Sequence, residues 1–267
     1  MIPKVSVIMS VKNGADCLDK SIQSVLNQSF ADFEFIICDD GSTDSTKDVL
    51  TKYMERDKRI KVLQNKQSQG LAYSLNRCIE ESKSNILVRQ DADDWSDEKR
   101  FEKQYQFVIE HPEYAIVGTQ WYNVSGDGHL KQSSVKALPS ARDQIGGGLF
   151  LHPTWMMRKD QIAKVGYYTA NKYTKRSQDY HLSMKVLGEG MLIYNMPDAL
   201  YYYSADDSTI ARSINWKRVK GLMWIRWDGY RRNKLPFWCY VYVFKPVIAN
   251  LIPKSIMVRH YKSVYSK

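Results

Sequence analysis

The sequence predicts a three-layer α/β fold around a mostly parallel sheet, followed by a separate basic tail. Three observations carry that reading. Short β-branched apolar runs alternate with helix-period segments from Val5 to Val88. Two acidic clusters, Asp39-Asp40 and Asp91-Ala92-Asp93-Asp94, each follow such a run directly. The excess positive charge gathers after Arg212.

Taken in order, Val5-Ser6-Val7-Ile8-Met9 is the first strand, and Leu18, Ile22, Val25 and Leu26 then recur at helical spacing with Asp16 as the expected cap. Phe33 to Cys38 is the second strand, ending in Asp39-Asp40-Gly41-Ser42, and Asp44 is placed to cap a polar helix that runs to Arg56. Ile60 to Leu63 reads as a third strand, Gly70 to Glu81 as a helix, and Asn85 to Val88 as a fourth strand closed by Arg89-Gln90-Asp91. Beyond Pro112 the pattern loosens, with Gly126 and Gly128 marking turns; Gly146-Gly147-Gly148 reads equally as an active-site loop or a plain linker. In open α/β sheets ligands bind beyond the carboxyl ends of the strands, so both acidic clusters are candidate sites.

The chain has 267 residues, 43% of them hydrophobic and 25% charged, which excludes a disordered tail or a low-complexity chain. Its four cysteines, Cys17, Cys38, Cys78 and Cys239, lack both metal-ligand spacing and disulfide-framework density, so they are expected to be reduced, as in the cytosol. The N-terminus lacks the hydrophobic run of a signal peptide. The net charge of +10 is unevenly placed: residues 212–267 hold 13 Lys and Arg against one acid, Asp228, and residues 1–211 are slightly acidic. That tail carries Trp216, Trp224, Trp227 and Trp238, and its segment from Leu235 to Ile252 is apolar apart from Lys245 and Asn250. A spanning helix needs about 20 apolar residues, and Pro236, Lys245-Pro246 and Pro253 interrupt this one. Residues 212–267 are therefore expected to lie in the plane of an anionic membrane surface, at its inner face. The competing reading makes the aromatics the core of a C-terminal subdomain.

Asp91, Asp93 and Asp94 put three like charges within four residues at the end of an apolar strand. A divalent cation relieves that repulsion, and oxygen-only donors point to Mg²⁺ or Mn²⁺, which in turn hold a diphosphate. A solvated acidic turn is the bland alternative. Asp39-Asp40-Gly41-Ser42 could accept hydrogen bonds from a base or ribose, or be ordinary turn chemistry. There is no phosphate-loop G-x-x-x-x-G-K-[ST], no G-x-G-x-x-G after the first strand, no G-x-S-x-G and no H-E-x-x-H.

Together, Pro3 to Met9, Asn13-Gly14, the helix Ser21 to Gln28, Phe33 to Ser42, Gly70 to Asn76 and Gln90 to Asp94 resemble the family 2 inverting glycosyltransferases. The resemblance implies a GT-A fold over residues 1–211, a UDP-sugar donor and a divalent metal. It implies that Asp40 contacts the pyrimidine, that Ser10 lines the nucleotide pocket, and that Asn76, Gln90, Asp91 and Asp94 bind the donor. Asp93, with Asp91, is the implied metal ligand. Ser177-Gln178-Asp179-Tyr180-His181-Leu182 matches the segment that carries the catalytic base, so Asp179 is implied as general base, with Gln178 in place of the usual Glu. His152 resembles a residue near the donor diphosphate or acceptor, as does Gln178. The expected activity is hexosyl transfer to a lipid-diphosphate-linked saccharide in surface-polysaccharide synthesis. A sugar-nucleotide nucleotidyltransferase is the alternative enzyme. Nucleic acid is not expected as a partner, because a basic RNA-binding tail leaves the acids at the strand ends unexplained.

Overall fold

A computed structural model describes residues 2–124, 128, 130–147, 150–204 and 216–251. Strands β1 (Val5–Val11), β2 (Phe33–Asp39), β3 (Ile60–Gln64) and β4 (Ile86–Arg89) pair in parallel in the spatial order β3-β2-β1-β4. Helices α1 (Leu18–Leu26), α2 (Thr46–Arg56) and α3 (Leu71–Glu81) connect them.

The second half is mixed. After β5 (Trp95–Ser96) and α4 (Arg100–Glu110) come β6 (Tyr114–Val124), β7 (Leu130–Gln132) and β8 (Met156–Arg158). Helices α5 (Lys159–Ala163) and α6 (Gln178–Gly188) lead to β9 (Leu192–Ser204). β8 runs antiparallel to both β4 and β6, β6 pairs in parallel with β9, and β5 closes the order β3-β2-β1-β4-β8-β6-β9-β5. The sheet is parallel through its first half and mixed through its second.

The sheet separates two cores, as the predicted three layers require. On one face Val5, Val7, Met9 and Val11 meet Leu18 and Ile22 of α1, Leu50 of α2 and Phe101 of α4. On the other, Ile8, Ile36 and Leu87 meet Leu75 and Ile79 of α3, Ile162 of α5 and Leu182 of α6. Strands buried on both faces appear in the sequence as near-continuous apolar runs, which is why β1, β2 and β4 were legible, whereas the edge strand β3 alternates buried and exposed residues.

Two caps separate prediction from structure. Asp16 does not cap α1: Cys17 occupies the cap position without a side-chain bond, and the Cys17 and Leu18 amides donate to the Gly14 carbonyl instead. Asp44 does support the start of α2, its Oδ1 accepting from the Thr46 amide at 3.1 Å and the Thr46 hydroxyl at 2.6 Å.

Helix α7 (Trp216–Arg232) packs on α6, and a 3-10 helix (Phe237–Phe244) leads into α8 (Lys245–Leu251). Tyr180 and Met184 of α6 share a third core with Ile225, Tyr230, Cys239 and Val243. The close approach needs glycine: a Cβ on Gly221 would lie 2.4 Å from the Tyr173 carbonyl oxygen. The expected boundary at residues 211 and 212 lies outside the described residues. Among the described residues, no helix is long and apolar enough to cross a membrane.

Candidate active site

The acidic turn after β4 is built on a fully buried cation. Arg89, the last residue of β4, has no solvent exposure and ion-pairs with Asp91, while donating a second bond to the Gln90 carbonyl. Burial opposes the Arg89 charge, but Asp91 and the nearby Tyr168 and Tyr201 hydroxyls outweigh it, and the guanidinium is held more firmly protonated than usual. Gln90 is also fully buried. Its Nε2 lies within bonding distance of Ser21 Oγ, the Asp91 and Asp94 carbonyls and Tyr201 Oη, and its Oε1 accepts from Ser96 Oγ and Arg100. The Gln90 amide is committed inside the protein, between Ser21, Ser96, Arg100 and the acidic turn.

Carboxylate oxygens of Asp91, Asp93 and Asp94 all lie within 4.8 Å of one another. Asp93 is the exposed member, Asp91 is half-buried and Asp94 is buried. Asp94 Oδ1 accepts from the Ser204 amide at 2.8 Å, whereas its Oδ2 is buried with no hydrogen-bond partner among the described residues. Burial, then the charges of Asp91 and Asp93, hold the Asp94 carboxyl well above the usual carboxylate range. A converging cluster of hard oxygen donors with an orphaned buried oxygen fits a divalent cation.

At the end of β2 the two aspartates divide their work. Asp40 Oδ1 accepts from Asn65 Nδ2 (2.6 Å), the Gln69 amide (2.8 Å) and Ser74 Oγ (3.0 Å), and its Oδ2 from Ser68 Oγ (2.8 Å) and the Gly70 amide (2.9 Å). Burial raises this carboxyl, but those bonds outweigh it and hold it below the usual range. Gly70 meets Asp40 at φ +93°, a conformation that favours glycine. Asp40 is thus a loop clamp, with both carboxylate oxygens engaged by the protein. Asp39 is buried too, yet only its Oδ1 is engaged, by the Ser42 amide at 2.9 Å; among the described residues Oδ2 has no hydrogen-bond partner. Beside this pair a cleft of about 380 Å³ is lined by Gly41, Ser42, Thr43, Gln64, Asn65 and Lys66. Ser10 is half-buried near the end of β1, in register with Cys38.

Asp179 stands in the first turn of α6, where a carboxylate favours the helix dipole. Burial raises its carboxyl above the usual value; the Tyr180 and Asp179 amides oppose that, Asp91 adds to it and Arg89 counters it. Asp179 therefore shares one electrostatic environment with the acidic turn, although the two are far apart in sequence. Gln178 beside it is buried. Arg218, in the first turn of α7, is half-buried and feels both Arg176 and Asp179.

The remaining predicted residues have internal partners. His152 Nε2 lies 2.6 Å from the Tyr168 hydroxyl, with its ring edge-on to Trp155, and burial followed by the Arg89 charge keeps the imidazole neutral. Asn76 donates to the Tyr168 carbonyl at 2.8 Å and accepts from the Tyr168 amide at 3.1 Å, so its amide clasps the segment after α5. His181 Nε2 lies 3.1 Å from Asp228 Oδ2 of α7.

Sequence reasoning missed Arg89, Arg100 and Asp228. A cation directly between an apolar strand and an acidic cluster was the available signal for Arg89. For Asp228 it was the solitary acid of a basic tail.

A family profile described as Glycosyl transferase family 2 matches residues 6–168. The chain belongs to glycosyl transferase family 2. This family 2 chain is 34% identical over 261 residues to the Bacillus subtilis (strain 168) protein named glycosyltransferase EpsE, covering 97% of this chain and 94% of that one. It is 30% identical over 218 residues to the O-antigen biosynthesis glycosyltransferase WbnJ of Escherichia coli, covering 80% and 84%. The crystal structure of S. aureus TarS 1-349 in complex with UDP-GlcNAc superposes with a TM-score of 0.70 at 21% identity, over 93% of this chain and 71% of that one. At that identity the likeness shows the fold, which is GT-A, as the resemblance implied. The protein is a glycosyltransferase, which sets aside the nucleotidyltransferase alternative.

Proposed function

We propose that this family 2 enzyme moves a hexosyl group, with inversion, from a UDP-sugar to a hydroxyl of a lipid-diphosphate-linked saccharide in bacterial surface-polysaccharide synthesis. The observation that carries the reading is the shared environment of Asp179 and the Asp91–Asp94 turn. An inverting transfer needs a base on one side of the anomeric carbon and a stabilised leaving diphosphate on the other. The UDP-GlcNAc complex of TarS supports the donor class, and the name of WbnJ supports the polysaccharide context.

In this reading Asp39, rather than Asp40, accepts from the pyrimidine, because its Oδ2 has no hydrogen-bond partner among the described residues and Gly41 and Ser42, just after it in sequence, line the cleft; Ser10 is assigned to the nucleotide pocket. Asp91 faces the ribose and sugar, and Asp94 sits beneath the sugar. Asp93 and Asp91 would hold Mn²⁺ or Mg²⁺, with the free oxygen of Asp94 behind them. When bound, the cation supplies positive charge against the leaving diphosphate. Asp179 accepts the acceptor hydroxyl's proton as that oxygen bonds to the anomeric carbon, while the carbon–oxygen bond to UDP breaks and its electron pair leaves with UDP. The raised affinity of Asp179 for a proton suits that task. Gln178 and His152 stand behind it as positioning groups.

We assign residues 1–211 to the transferase domain and residues 212–267 to contact with the inner face of the cell membrane, where lipid-linked acceptors reside. The test is incubation with a panel of UDP-sugars and a synthetic GlcNAc-diphosphate-lipid, with and without Mn²⁺. Metal-dependent release of UDP with an elongated lipid product, inverted at the anomeric carbon, is expected. Retention of configuration, or no transfer from any UDP-sugar, overturns the reading.

A further inference from the structure

The segment Phe237–Leu251 has two faces with opposite fates. Cys239, Val243 and Pro246 are buried, the first two in the core shared with Ile225 and Tyr230 of α7. The outward side chains are Phe237 (88% exposed), Trp238 (53%), Val241 (67%), Phe244 (56%), Ile248 (63%) and Leu251 (70%). Leaving Trp238 aside, an exposed apolar side chain recurs every three or four residues through the 3-10 helix and α8, a stripe defined by its exposure. A hydrophobic stripe of this kind on a folded protein marks an interaction surface.

Hydrogen bonds and ring contacts tie the segment to the rest of the protein. Arg226 donates to the Tyr242 carbonyl at 2.7 Å and to the Gly146 carbonyl at 2.7 Å, and Lys245 donates to Gly146 at 3.2 Å. Tyr240 packs edge-on against Trp227 and Tyr230. The described tail is cationic: it carries Lys217, Lys220, Arg231, Arg232, Lys234 and Lys245, and its single acid, Asp228, is already paired with His181, Arg231 and Arg232.

We propose that this stripe is the membrane-docking face: Phe237, Trp238, Val241, Phe244, Ile248 and Leu251 enter the interfacial region of an anionic bilayer while the bases of the tail meet its headgroups. A second copy of the chain is the poorer occupant, since it would bring one strongly basic surface against another. An anionic lipid surface supplies both complements, apolar depth and negative charge. The inference deepens the membrane reading above and is independent of the transfer chemistry.

The test uses the full chain in co-sedimentation with vesicles of phosphatidylcholine alone and of phosphatidylcholine with phosphatidylglycerol. The wild type is expected to pellet with the anionic vesicles and not with the neutral ones. A Phe237→Ser, Val241→Ser, Phe244→Ser triple variant is expected to bind them roughly tenfold or more weakly, because each substitution removes exposed apolar surface from the bilayer. UDP-sugar hydrolysis measured in parallel reads the chemistry separately and is expected to be unchanged. If the triple variant is poorly folded, Val241→Ser and Ile248→Ser are measured singly, and each is expected to weaken binding. Wild-type binding by the folded variants overturns the proposal, as does a wild type that ignores anionic vesicles. So does a stripe-dependent dimer in light scattering that accounts for the exposed face.

Discussion

Arg89 and Asp91 form an ion pair in which the arginine has no solvent exposure and the aspartate keeps 27% of its own. The pair fixes the direction of the acidic turn from inside the sheet. Replacing Arg89 with Met keeps most of the volume and removes the charge, leaving Asp91 and the Gln90 carbonyl without their donor. The expected loss is about 2–4 kcal/mol, toward the lower end because Asp91 can hydrate. Turnover is expected to fall roughly 100-fold from displacement of the turn. Urea unfolding and steady-state UDP release check the two effects independently.

The two aspartates at the end of β2 separate by phenotype. Asp40→Asn breaks a carboxylate clamp with five donors, and is expected to cost about 2–3 kcal/mol in unfolding free energy. Asp39→Asn is expected to cost less than about 1 kcal/mol while weakening UDP binding about tenfold. Calorimetric titration with UDP, alongside thermal unfolding, distinguishes them. The reverse pattern would return the pyrimidine contact to Asp40.

Stability is expected to fall with acid in a window set by His181. Burial, despite the Asp228 bond, pushes its imidazole down to about 4. The unfolded chain takes up that proton near pH 6.5, and the folded chain refuses it until about pH 4. The contribution is therefore complete above pH 6.5 and is lost progressively as pH falls toward 4, amounting to about 3 kcal/mol. Buried His152, also pushed down, acts in the same direction. Denaturant midpoints measured across pH 7.5 to 5 check this, and a His181→Gln variant is expected to show a shallower dependence.

Gly221 tests how the tail is mounted. Alanine raises helix propensity by about 1 kcal/mol, but its Cβ would stand 2.4 Å from the Tyr173 carbonyl. The clash is expected to win, for a net loss of about 1–3 kcal/mol. Hydrogen exchange is expected to rise in α7 and in residues 173–177 and to stay unchanged in β1–β4. Uniform exchange across the chain would show that α7 is not separately seated.

Strands β1, β2 and β4 and both acidic clusters were legible because a strand buried on both faces writes itself as an apolar run, and each cluster ends one. Which member of Asp39-Asp40 meets the ligand was not legible. Adjacent residues in a strand point to opposite faces, and only the fold shows which face carries the clamp. The long pair β6 and β9 escaped because register shifts near Thr119, Gln120 and Tyr122 break the period-two signal. Arg89 escaped because a cation at a strand end reads as surface until its burial is seen. Asp179 was found through resemblance alone, since nothing local in Gln178-Asp179-Tyr180 brings it to Asp91.

The electrostatic environment that Asp179 shares with Asp91 is the centre of the account. The most direct measurement is Asp179→Asn, assayed for sugar transfer and for UDP binding on the same preparation. A loss of transfer of roughly 1,000-fold, with UDP affinity and unfolding midpoint unchanged, is the predicted result. Wild-type turnover by the folded Asn variant would contradict it.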